Sequence, residues 1–433
     1  MKLDSIAEKI EKNNIRWIQI HFTDLMGRLR IVHIPADRFL EDTILEDGVT
    51  FDGYSVGVAH IDKSDMIALP DPSTFLVLPD HENEARVIAN MYNTSLKPCK
   101  LDPRFILQKA VEEVKKKGYE YIGFSPEMEF YVLKENEGWK WGTEHKRGYF
   151  SPPPLDEAKD YRRTLSESLQ ESGYKVKYHH HEAGRHQHEI EVKEMSVKDA
   201  ADFCIYFKYL ARTYAYNYNL LVTFMPKPFL EDAGNGMHVH ITLYRKGRNI
   251  FLDENDEYKL SQTARYFIGG ILEHARSIAA LSNSTVNSYK RLVPNCEAPI
   301  YTVWARYNRS ALIRIPAKKK VDIEIRNADP AANPYLFYAA ILHAGIDGIK
   351  KKIMFEPAEK NVYQMSNREI KDNNIKRLPT NLMEALEELE KDDVIKRGLG
   401  KEAITLLIDE KKKEWQRYMG MITSADYELY FNC

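Results

Sequence analysis

The sequence predicts an α+β fold in two parts, a small β-rich domain followed by a larger mixed domain. The chain has 433 residues, which is more than one ordinary hydrophobic core accommodates. Strand-like segments and turns continue from the N-terminus to about residue 97. Beyond them, helical and strand patterns alternate to the end of the chain. We therefore place the domains at residues 1–98 and 99–433.

Local signals define the elements of the first part. Residues 4–13 have the pattern of a short amphipathic helix. Residues 15–22 and 29–35 are typical of two strands of a hairpin, with Gly27 in the connection between them.

The second part opens with a well-marked helix. Asp102 is a good N-cap, because its carboxylate accepts hydrogen bonds from free backbone N–H groups, and Pro103 suits the first helical position. Gly118 is typical of the end of this helix. Further along, the polar composition of residues 372–400 predicts a peripheral segment.

Composition excludes several classes of protein. The net charge of -2 gives no general attraction to nucleic acid or to an anionic membrane. No apolar run reaches the roughly 18 residues of a membrane span. The four cysteines are far apart, as in a reduced intracellular protein, and the N-terminus does not have the pattern of a signal peptide. We therefore expect a cytoplasmic protein.

Carboxylates and histidines recur at strand spacing in four segments. Residues two apart share one face of a strand, so each segment combines a charged face with an apolar one. The charged faces carry Glu127 and Glu129; His238, His240 and Thr242; Asp322, Glu324 and Arg326; and, at a connection between strands, Glu182 and Glu189. Each segment alone is typical of a solvent-facing strand, but the four together indicate that these faces converge.

Converging carboxylates indicate a metal site. At about 6 Å, each pair would repel by roughly 2–3 kcal/mol at an effective dielectric near 20. Such a cluster persists only with protons taken up or cations bound, and Mg²⁺ or Mn²⁺ suits carboxylates with one imidazole. The histidine-rich run at residues 179–188 raises a zinc alternative. We disfavour it, because the run lacks an H-E-x-x-H signature and a cysteine partner.

Arginines are the second conspicuous group. The sequence has neither a P-loop nor a Rossmann fingerprint, so a nucleotide would be held by arginines, histidines and metals. Guanidinium groups bind carboxylates and phosphates bidentately, which suits an acidic substrate and a transferring phosphate. The arginines of this region are Arg291, Arg306, Arg309, Arg314 and Arg326. We interpret Arg306 as structural.

Ordered motifs recur along essentially the whole chain: F-D-G at 51–53, P-E-M-E-F at 126–130, G-M-H-V-H at 236–240, N-S-Y-K-R-L-V-P at 287–294, E-A-P at 297–299, N-R-S-A-L-I-R-I-P at 308–316 and D-P-A-A-N-P-Y-L at 329–336. These motifs give the chain a resemblance to the type I glutamine synthetases. This resemblance implies an N-terminal β-grasp domain and a catalytic domain of the glutamine synthetase/guanido kinase-like type with a curved antiparallel sheet.

The resemblance also implies a reaction and an assembly. Family members use ATP and two or more Mg²⁺ or Mn²⁺ ions per active site to join ammonium to the γ-carboxylate of glutamate, through γ-glutamyl phosphate. They usually form two stacked hexameric rings, a dodecamer, with each active site between neighbouring subunits.

Individual roles follow from motif positions. Glu129, Glu182 and Glu189 resemble the ligands of one metal ion, and Glu127, His238 and Glu324 those of the other. His240, Thr242 and Arg314 match ATP-contacting positions, whereas Arg291, Arg326 and the backbone at Gly234 match the glutamate site. Arg309 resembles the arginine that neutralises the transferring phosphoryl group, and Glu297 resembles the flap residue. Asp52, Ser55, Tyr149 and Glu182 match the ammonium pocket, with Asp52 as candidate base.

Local departures from the family pattern cluster near the substrate. They are Tyr54, His60, Lys177, Ala233, His186, Asn295 and Cys296. They leave open a relative that ligates glutamate to another amine, such as a polyamine or methylamine. The intact ammonium pocket favours ammonia. A second alternative is a non-catalytic structural relative, which the complete set of metal ligands disfavours. Tyr363 lies where some bacterial relatives are nucleotidylated, but a single tyrosine does not predict regulation.

Overall fold

The computed structural model describes residues 3–41, 43–79, 81–134, 148–294, 298–317, 320–358, 360–373 and 375–433. The strands are β1 (Trp17–Thr23), β2 (Leu29–Pro35), β3 (Val49–Asp52), β4 (Asp65–Val77), β5 (Glu84–Asn93), β6 (Tyr121–Lys134), β7 (Val176–His181), β8 (Gln187–Val192), β9 (Met195–Ser196), β10 (Leu220–Thr223), β11 (Val239–Arg245), β12 (Arg248–Asn249), β13 (Trp304–Arg306), β14 (Ile313–Ile315) and β15 (Ile323–Ile325).

Helices lie between and around the strands. They are α1 (Leu3–Lys12), α2 (Ala36–Glu41), α3 (Ile44–Asp47), α4 (Gly53–Val56), α5 (Pro103–Lys116), α6 (Lys159–Glu171), α7 (Val197–Asn217), α8 (Gln262–Glu273), α9 (Ala275–Ser282), α10 (Ser288–Arg291), α11 (Pro334–Lys351), α12 (Asn367–Asp372), α13 (Leu382–Lys391), α14 (Asp393–Leu399), α15 (Lys401–Met419) and α16 (Ser424–Tyr430). Every helix within the described ranges is too short or too polar to cross a lipid bilayer.

The first sheet is mixed, with strand order β2-β1-β5-β4-β3. The predicted hairpin is confirmed, since β1 and β2 pair antiparallel, and Gly27 in their connection has a φ of 80°. Strand β1 also pairs with β5 in parallel, so the hairpin lies beside the strand that closes this part of the chain. The helix predicted at residues 4–13 is α1.

The second sheet is larger and mostly antiparallel. Its main order is β13-β14-β15-β11-β6-β8-β7, with β9 and β10 pairing with β6, and β12 with β11. The exception to antiparallel pairing is β13 with β14. The long strand β6 lies between β11 and β8, so its side chains meet those of both neighbours. This sheet positions the candidate site described below.

Helix α5 begins as the sequence predicts. The Asp102 carboxylate accepts hydrogen bonds from the backbone N–H groups of Arg104 and Phe105. Gly118, just beyond the C-terminal end of the helix, has a φ of 86°, a conformation that residues with a side chain rarely adopt.

Buried apolar residues of both sheets belong to one continuous hydrophobic cluster, which extends from Ile6 to Ile408. Polar contacts also join the first sheet to the larger part of the chain. The Asn333 side-chain amide, at the N-cap of α11, donates to the backbone carbonyl of Leu25 at 3.1 Å. The first sheet is therefore packed and hydrogen-bonded onto the helices of the larger part.

The prediction that residues 372–400 are peripheral is wrong. Helix α13 packs against α9, and α14 packs against α11. Leu386, Leu389 and Ile395 are fully buried. The segment is polar on average because these amphipathic helices alternate buried leucines with charged residues on the solvent side, and average composition does not resolve the two faces.

Helices α8 and α11 approach each other through glycines. A Cβ on Gly348 would lie 2.2 Å from the Tyr266 carbonyl oxygen and 2.5 Å from the Gly270 backbone. Since both neighbours are backbone atoms, the helices would have to separate. We expect Gly348→Ala to lower the free energy of unfolding by about 2–3 kcal/mol, seen as a lower thermal midpoint.

Gly420 provides the matched control for that substitution. It also lies at a helix end, but the nearest atom to its added Cβ is 3.4 Å away, and its φ is -84°. Gly420→Ala should therefore leave the midpoint unchanged or raise it slightly. Equal midpoints for the two variants would contradict the close approach of α8 and α11.

Candidate active site

Strand register brings the charged side chains of the large sheet together. Across β6 and β8, Glu129 lies opposite Glu189, and Glu127 lies opposite Glu191. Like charges directly opposite each other on a sheet are destabilising. Two such pairs in succession, all four largely buried, indicate that the sheet is adapted to a positively charged ligand.

The other side of β6 continues the charged surface. His240 on β11 lies opposite Glu324 on β15, and Arg314 on β14 lies opposite the same Glu324. The charged faces of four segments therefore do converge, because their strands are neighbours in one sheet.

A cavity of about 570 Å³ opens over this surface. Its lining includes most of the side chains that the sequence singled out, together with the backbone of the loop at Gly234. The predicted site residues along its walls are Glu127, Glu129, Tyr149, Glu182, Glu189, Gly234, His238, Arg291, Arg309, Arg314 and Arg326.

Two groups of side chains have a spacing that suits a metal ion. Glu127, His240 and Glu324 each offer one ligand atom, and these atoms lie within 4.8 Å of one another. His180, Glu182 and Glu189 form the second such group.

His238 lies beside the first group. Its Nδ1 atom is 3.2 Å from Glu127 Oε2 and 3.9 Å from oxygens of both Glu129 and Glu324. Its other ring nitrogen, Nε2, is buried without a hydrogen-bond partner among the described residues. The assignment of individual ligands to each ion stays a prediction.

Glu129 and Glu189 are the carboxylates whose negative charge is destabilised by burial and by neighbouring glutamates. Burial, followed by the charge of Glu182, raises the pKa of Glu129 to about 8. Burial and the neighbouring glutamates, Glu127 first among them, raise the pKa of Glu189 well above its usual range. Protonation relieves this repulsion in the metal-free chain, and a divalent cation would relieve it without protons.

Glu127 and Glu324 are instead compensated by cations. Burial would raise the pKa of Glu127, but the imidazoles of His240 and His238 hold it well below its usual range. Glu324 is fully buried, yet the charges of Arg326 and then His240 lower its pKa to about 2. Arg326 Nη1 donates to Glu324 Oε1 at 2.6 Å.

The arginines differ in how firmly they are held. Arg291 is buried, and its Nη1 donates to the Asn327 carbonyl at 2.8 Å. Buried Arg326 has its Nε atom without a partner among the described residues. Arg309 is exposed at the cavity wall and forms no ion pair with a described carboxylate. It is therefore available to an anionic ligand.

Other predicted site residues lie away from the cavity wall. Thr242 is buried and donates to Glu194 Oε2 at 2.5 Å, and His240 bonds to Glu127 Oε1 at 2.7 Å beneath the surface. Asp52 is exposed at the end of β3 and Ser55 is exposed in α4, and no described residue lining the cavity comes from either element. The predictions for Glu297, Asn295 and Cys296 lie outside the described residues.

Sequence reasoning did not assign a role to several residues of the site. Gln187 Nε2 donates to Glu129 Oε2 at 2.9 Å and to the Gly234 carbonyl at 3.0 Å, so it joins the carboxylates to the loop. His180 and Glu191 lie among the glutamates. Strand alternation from Glu189 would have indicated Gln187 and Glu191, since all three positions share one face of β8.

Two departures from the family pattern have clear contacts. Lys177 donates to Glu191 Oε1 at 2.6 Å, so it offsets one of the facing glutamates. The carbonyl of Ala233 accepts a hydrogen bond from the Tyr131 hydroxyl at 2.7 Å, which uses only the backbone of that position. Nothing in the structure explains Tyr54 or His60.

Neutralising Glu129 is expected to stabilise the metal-free protein. Its pKa in the fold is about 8, against an ordinary 4.5, so the folded chain binds the extra proton. The wild type should therefore lose stability as pH rises from about 4.5 to about 8. Glu129→Gln keeps an acceptor for the Gly236 N–H group and should lose less stability over that range. Thermal midpoints measured with EDTA across this range test it.

Magnesium should reverse the order of the two proteins. We expect added Mg²⁺ to raise the midpoint of the wild type at pH 8 and to raise that of Glu129→Gln much less. Glu171→Gln, an exposed change at the end of α6, should follow the wild type in both conditions. A pH-independent difference between Glu129→Gln and wild type would contradict the electrostatic account.

Comparison with known proteins agrees with this architecture. The family model described as glutamine synthetase, catalytic domain, matches residues 100–430, and the glutamine synthetase β-grasp model matches residues 14–94. The glutamine synthetase of Pyrococcus furiosus is 46% identical over 412 residues, covering 94% of this chain and 92% of that protein. That of Thermotoga maritima is 42% identical over 440 residues and covers 99% of both chains.

Two solved structures have the same overall fold as this chain. A GmaS complex with ADP superposes with a TM-score of 0.91 at 29% identity, covering 100% of both chains. A cryo-EM structure of Plasmodium falciparum glutamine synthetase has a TM-score of 0.88 at 26% identity and covers 99% of both chains.

The fold and the cavity together define an α+β enzyme whose site is built on one face of a large, mostly antiparallel sheet, with charges suited to cations and anionic substrates. The comparisons make the class specific. The chain belongs to the glutamine synthetase family, and it is a ligase that carries the catalytic domain of that family. The predicted family and the N-terminal β-grasp domain are confirmed. The domain limits and the roles of individual residues stay predictions.

Proposed function

We propose that this enzyme joins ammonia to the γ-carboxylate of L-glutamate, with ATP converted to ADP and phosphate. In the first step, a γ-carboxylate oxygen attacks the terminal phosphorus of ATP, and ADP leaves. In the second, ammonia attacks the carbonyl carbon of γ-glutamyl phosphate, and phosphate leaves with the formation of glutamine. The cavity, which is lined by both carboxylates and arginines, is the observation that supports this proposal.

The donor set fits divalent cations. Oxygen ligands with one or two imidazoles suit Mg²⁺ or Mn²⁺, and the raised pKa values of Glu129 and Glu189 indicate a surplus of negative charge. We propose that Glu129, Glu182 and Glu189 hold one ion, and that Glu127, His238 and Glu324 hold the other. When bound, such cations offset the negative charge that develops on a transferring phosphoryl group.

The arginines divide between the two anionic substrates. Buried Arg291 and Arg326 are held by the backbone and by Glu324, which suits them to orient the glutamate carboxylates. Arg314, His240 and Thr242 contact ATP in our proposal. Exposed Arg309 donates to the phosphoryl group in transit, because it has no competing carboxylate among the described residues.

The ammonium pocket combines negative charge with an aromatic wall. Tyr149 lies beside Phe150, with ring centroids 4.0 Å apart, and both rings contact His180 edge-on. Glu182 and Glu189 lie nearby and attract NH₄⁺. Asp52 is our candidate for the base that removes a proton before attack. Its pKa is lowered chiefly by the hydrogen bond from Ser55, so it is ionised at neutral pH.

Asp52 requires a neighbouring subunit in this proposal. It is exposed on the first sheet, and the described lining of the cavity in its own chain begins at Glu127. Self-association into rings, with a dodecamer as the expected state, would bring Asp52 and Ser55 of one subunit to the cavity of the next. We expect this assembly to work in the cytoplasm, a proposal that the free thiols of Cys99 and Cys204 support.

Release of ADP should depend on ammonium. Purified protein with Mg²⁺, ATP and glutamate should release ADP at a low rate, and ammonium should raise that rate with glutamine as the product. Methylamine and a polyamine at equal concentration test the alternative hypothesis that the enzyme joins glutamate to another amine. That hypothesis is not favoured, since the relatives described above are glutamine synthetases. Turnover with such an amine but not with ammonium would overturn the proposed nucleophile and keep the fold.

A further inference from the structure

A second cavity, of about 750 Å³, lies on the seam between the two sheets. We call it the hairpin cavity, because the turn of the β1–β2 hairpin forms one side. Helix α7 and the end of β10 form the others. Its lining includes the charged residues Arg28, Lys208 and Arg212 and the apolar residues Met26, Val222 and Phe224.

The charge in the hairpin cavity is entirely positive. Arg28, Lys208 and Arg212 line it, and no lining residue is a carboxylate. None of the three forms an ion pair with a carboxylate within the described ranges. Lys208 donates to the Pro330 carbonyl at 3.1 Å. Burial is the main reason that the pKa of Lys208 falls to about 8, with the charge of Arg212 adding to it.

The charge of Asp329 raises the pKa of Lys208, but this carboxylate already has other hydrogen-bond partners. Asp329 is fully buried and accepts hydrogen bonds from the Asn283 side-chain amide and the Ala331 backbone N–H group, each at 3.0 Å. The positive charges of the cavity therefore lack a counter-charge from the described part of the chain.

The walls of the hairpin cavity are apolar around this charge. Phe224 lies under the Arg212 guanidinium, 5.2 Å from the ring centroid, with Met26 and Val222 among the neighbouring wall residues. A cavity of this volume, mainly apolar and with a few convergent charges, is typical of a site for a small organic molecule. The three basic side chains favour a molecule that carries a phosphate or carboxylate group.

We propose that the hairpin cavity binds a small organic anion, whose acidic group contacts Lys208 and Arg212 and whose apolar body packs against Phe224 and Met26. Arg28, in the hairpin turn, contacts the same acidic group from the opposite side of the cavity. The site is separate from the active-site cavity, with which it shares no lining residue.

An occupant would contact the segment that holds the active-site loop. The carbonyls of Met225 and Pro226, in the cavity wall, accept hydrogen bonds from the side chain and backbone N–H groups of Asn235, at 2.9 and 2.8 Å. The neighbouring Gly234 carbonyl forms the active-site wall and is held by Gln187. Binding in the hairpin cavity should therefore alter the KM for glutamate.

The first experiment measures binding of the fluorescent probe anilinonaphthalene sulfonate, an anion with an apolar body, to the full chain. We expect Arg28→Ala and Arg212→Ala to weaken binding about tenfold each, since each removes a charged contact. Arg163→Ala, an exposed arginine of α6, and Arg309→Ala, at the active-site cavity, should bind the probe as the wild type does. Displacement by phenyl phosphate and by 3-phenylpropionate then distinguishes a phosphate from a carboxylate ligand.

The outcome that would overturn this site is equal probe affinity in wild type, Arg28→Ala and Arg212→Ala, or a loss confined to Arg309→Ala. The second experiment measures the KM for glutamate with and without phenyl phosphate. It should shift in the wild type and not in Arg212→Ala; an equal shift in both would contradict the link through Asn235. This second readout rests on the proposed function, whereas probe binding does not, so the two failures are distinguishable.

Discussion

Arg309→Ala is expected to lower kcat for glutamine formation by about a hundredfold to a thousandfold. The side chain lies exposed at the cavity wall, with no carboxylate partner among the described residues. Its removal should cost little stability, but it leaves the charge of the transferring phosphoryl group less well neutralised. The KM for glutamate should change much less, because Arg291 and Arg326 remain. Steady-state kinetics with saturating Mg²⁺ measure both parameters.

Arg306→Ala is the matched control for that variant. It lies three residues away, its Nη1 donates to the Glu257 carbonyl, and its guanidinium lies over the Tyr307 ring. It is not among the residues that line the cavity. Its kcat should remain within about threefold of wild type, a difference of under 1 kcal/mol. If both variants lost activity equally, or if Arg309→Ala raised only the KM for glutamate, the role of Arg309 in phosphoryl transfer would be wrong.

Arg104→Ala is expected to produce the largest loss of stability. Arg104 is 2% exposed, and its guanidinium forms bonds of 3.0 Å with both oxygens of Asp202 and with Asp71, and one of 2.9 Å with Asn90. It therefore joins α5, α7 and the adjacent strands β4 and β5 of the first sheet. Removing it leaves buried Asp202 without its cation, which should cost about 3–5 kcal/mol.

Two further variants separate charge from geometry at this position. Arg104→Lys keeps the charge but loses the planar fork, so its stability should fall between those of wild type and Arg104→Ala. Arg163→Ala removes an exposed arginine whose ion pairs lie on the surface of α6, and it should change stability by less than about 0.5 kcal/mol. Chemical denaturation provides the measurement. A loss under about 1 kcal/mol for Arg104→Ala would show that the network contributes little.

Alternation along strands carried most of the sequence-based prediction of the site. It placed Glu127 and Glu129 on one face before any partner strand was known, and it did the same for His238 and His240. The structure brings these faces together because β6 and β11 are adjacent. The family motifs supplied the roles, which alternation alone does not indicate.

Register was the part that the sequence did not supply. Glu129 lies opposite Glu189, a pairing across 60 positions that depends on which strands meet and in which alignment. Alternation from Glu189 would have placed Gln187 on the same face of β8, but its contacts with Glu129 and Gly234 depend on how the strands and the loop meet. The prediction that residues 372–400 are peripheral was wrong for a different reason, because the average polarity of an amphipathic helix does not show that one of its faces is buried.

The hydrogen bond from Asn333 to the Leu25 carbonyl has a consequence for how the protein is made. Its two residues are 308 positions apart. At a synthesis rate of roughly 5–20 residues per second, the hairpin leaves the ribosome about 15–60 s before the helix that will cover it has been translated. During that interval the first sheet has an apolar surface without its final partner. We therefore expect the nascent chain to bind molecular chaperones during this interval.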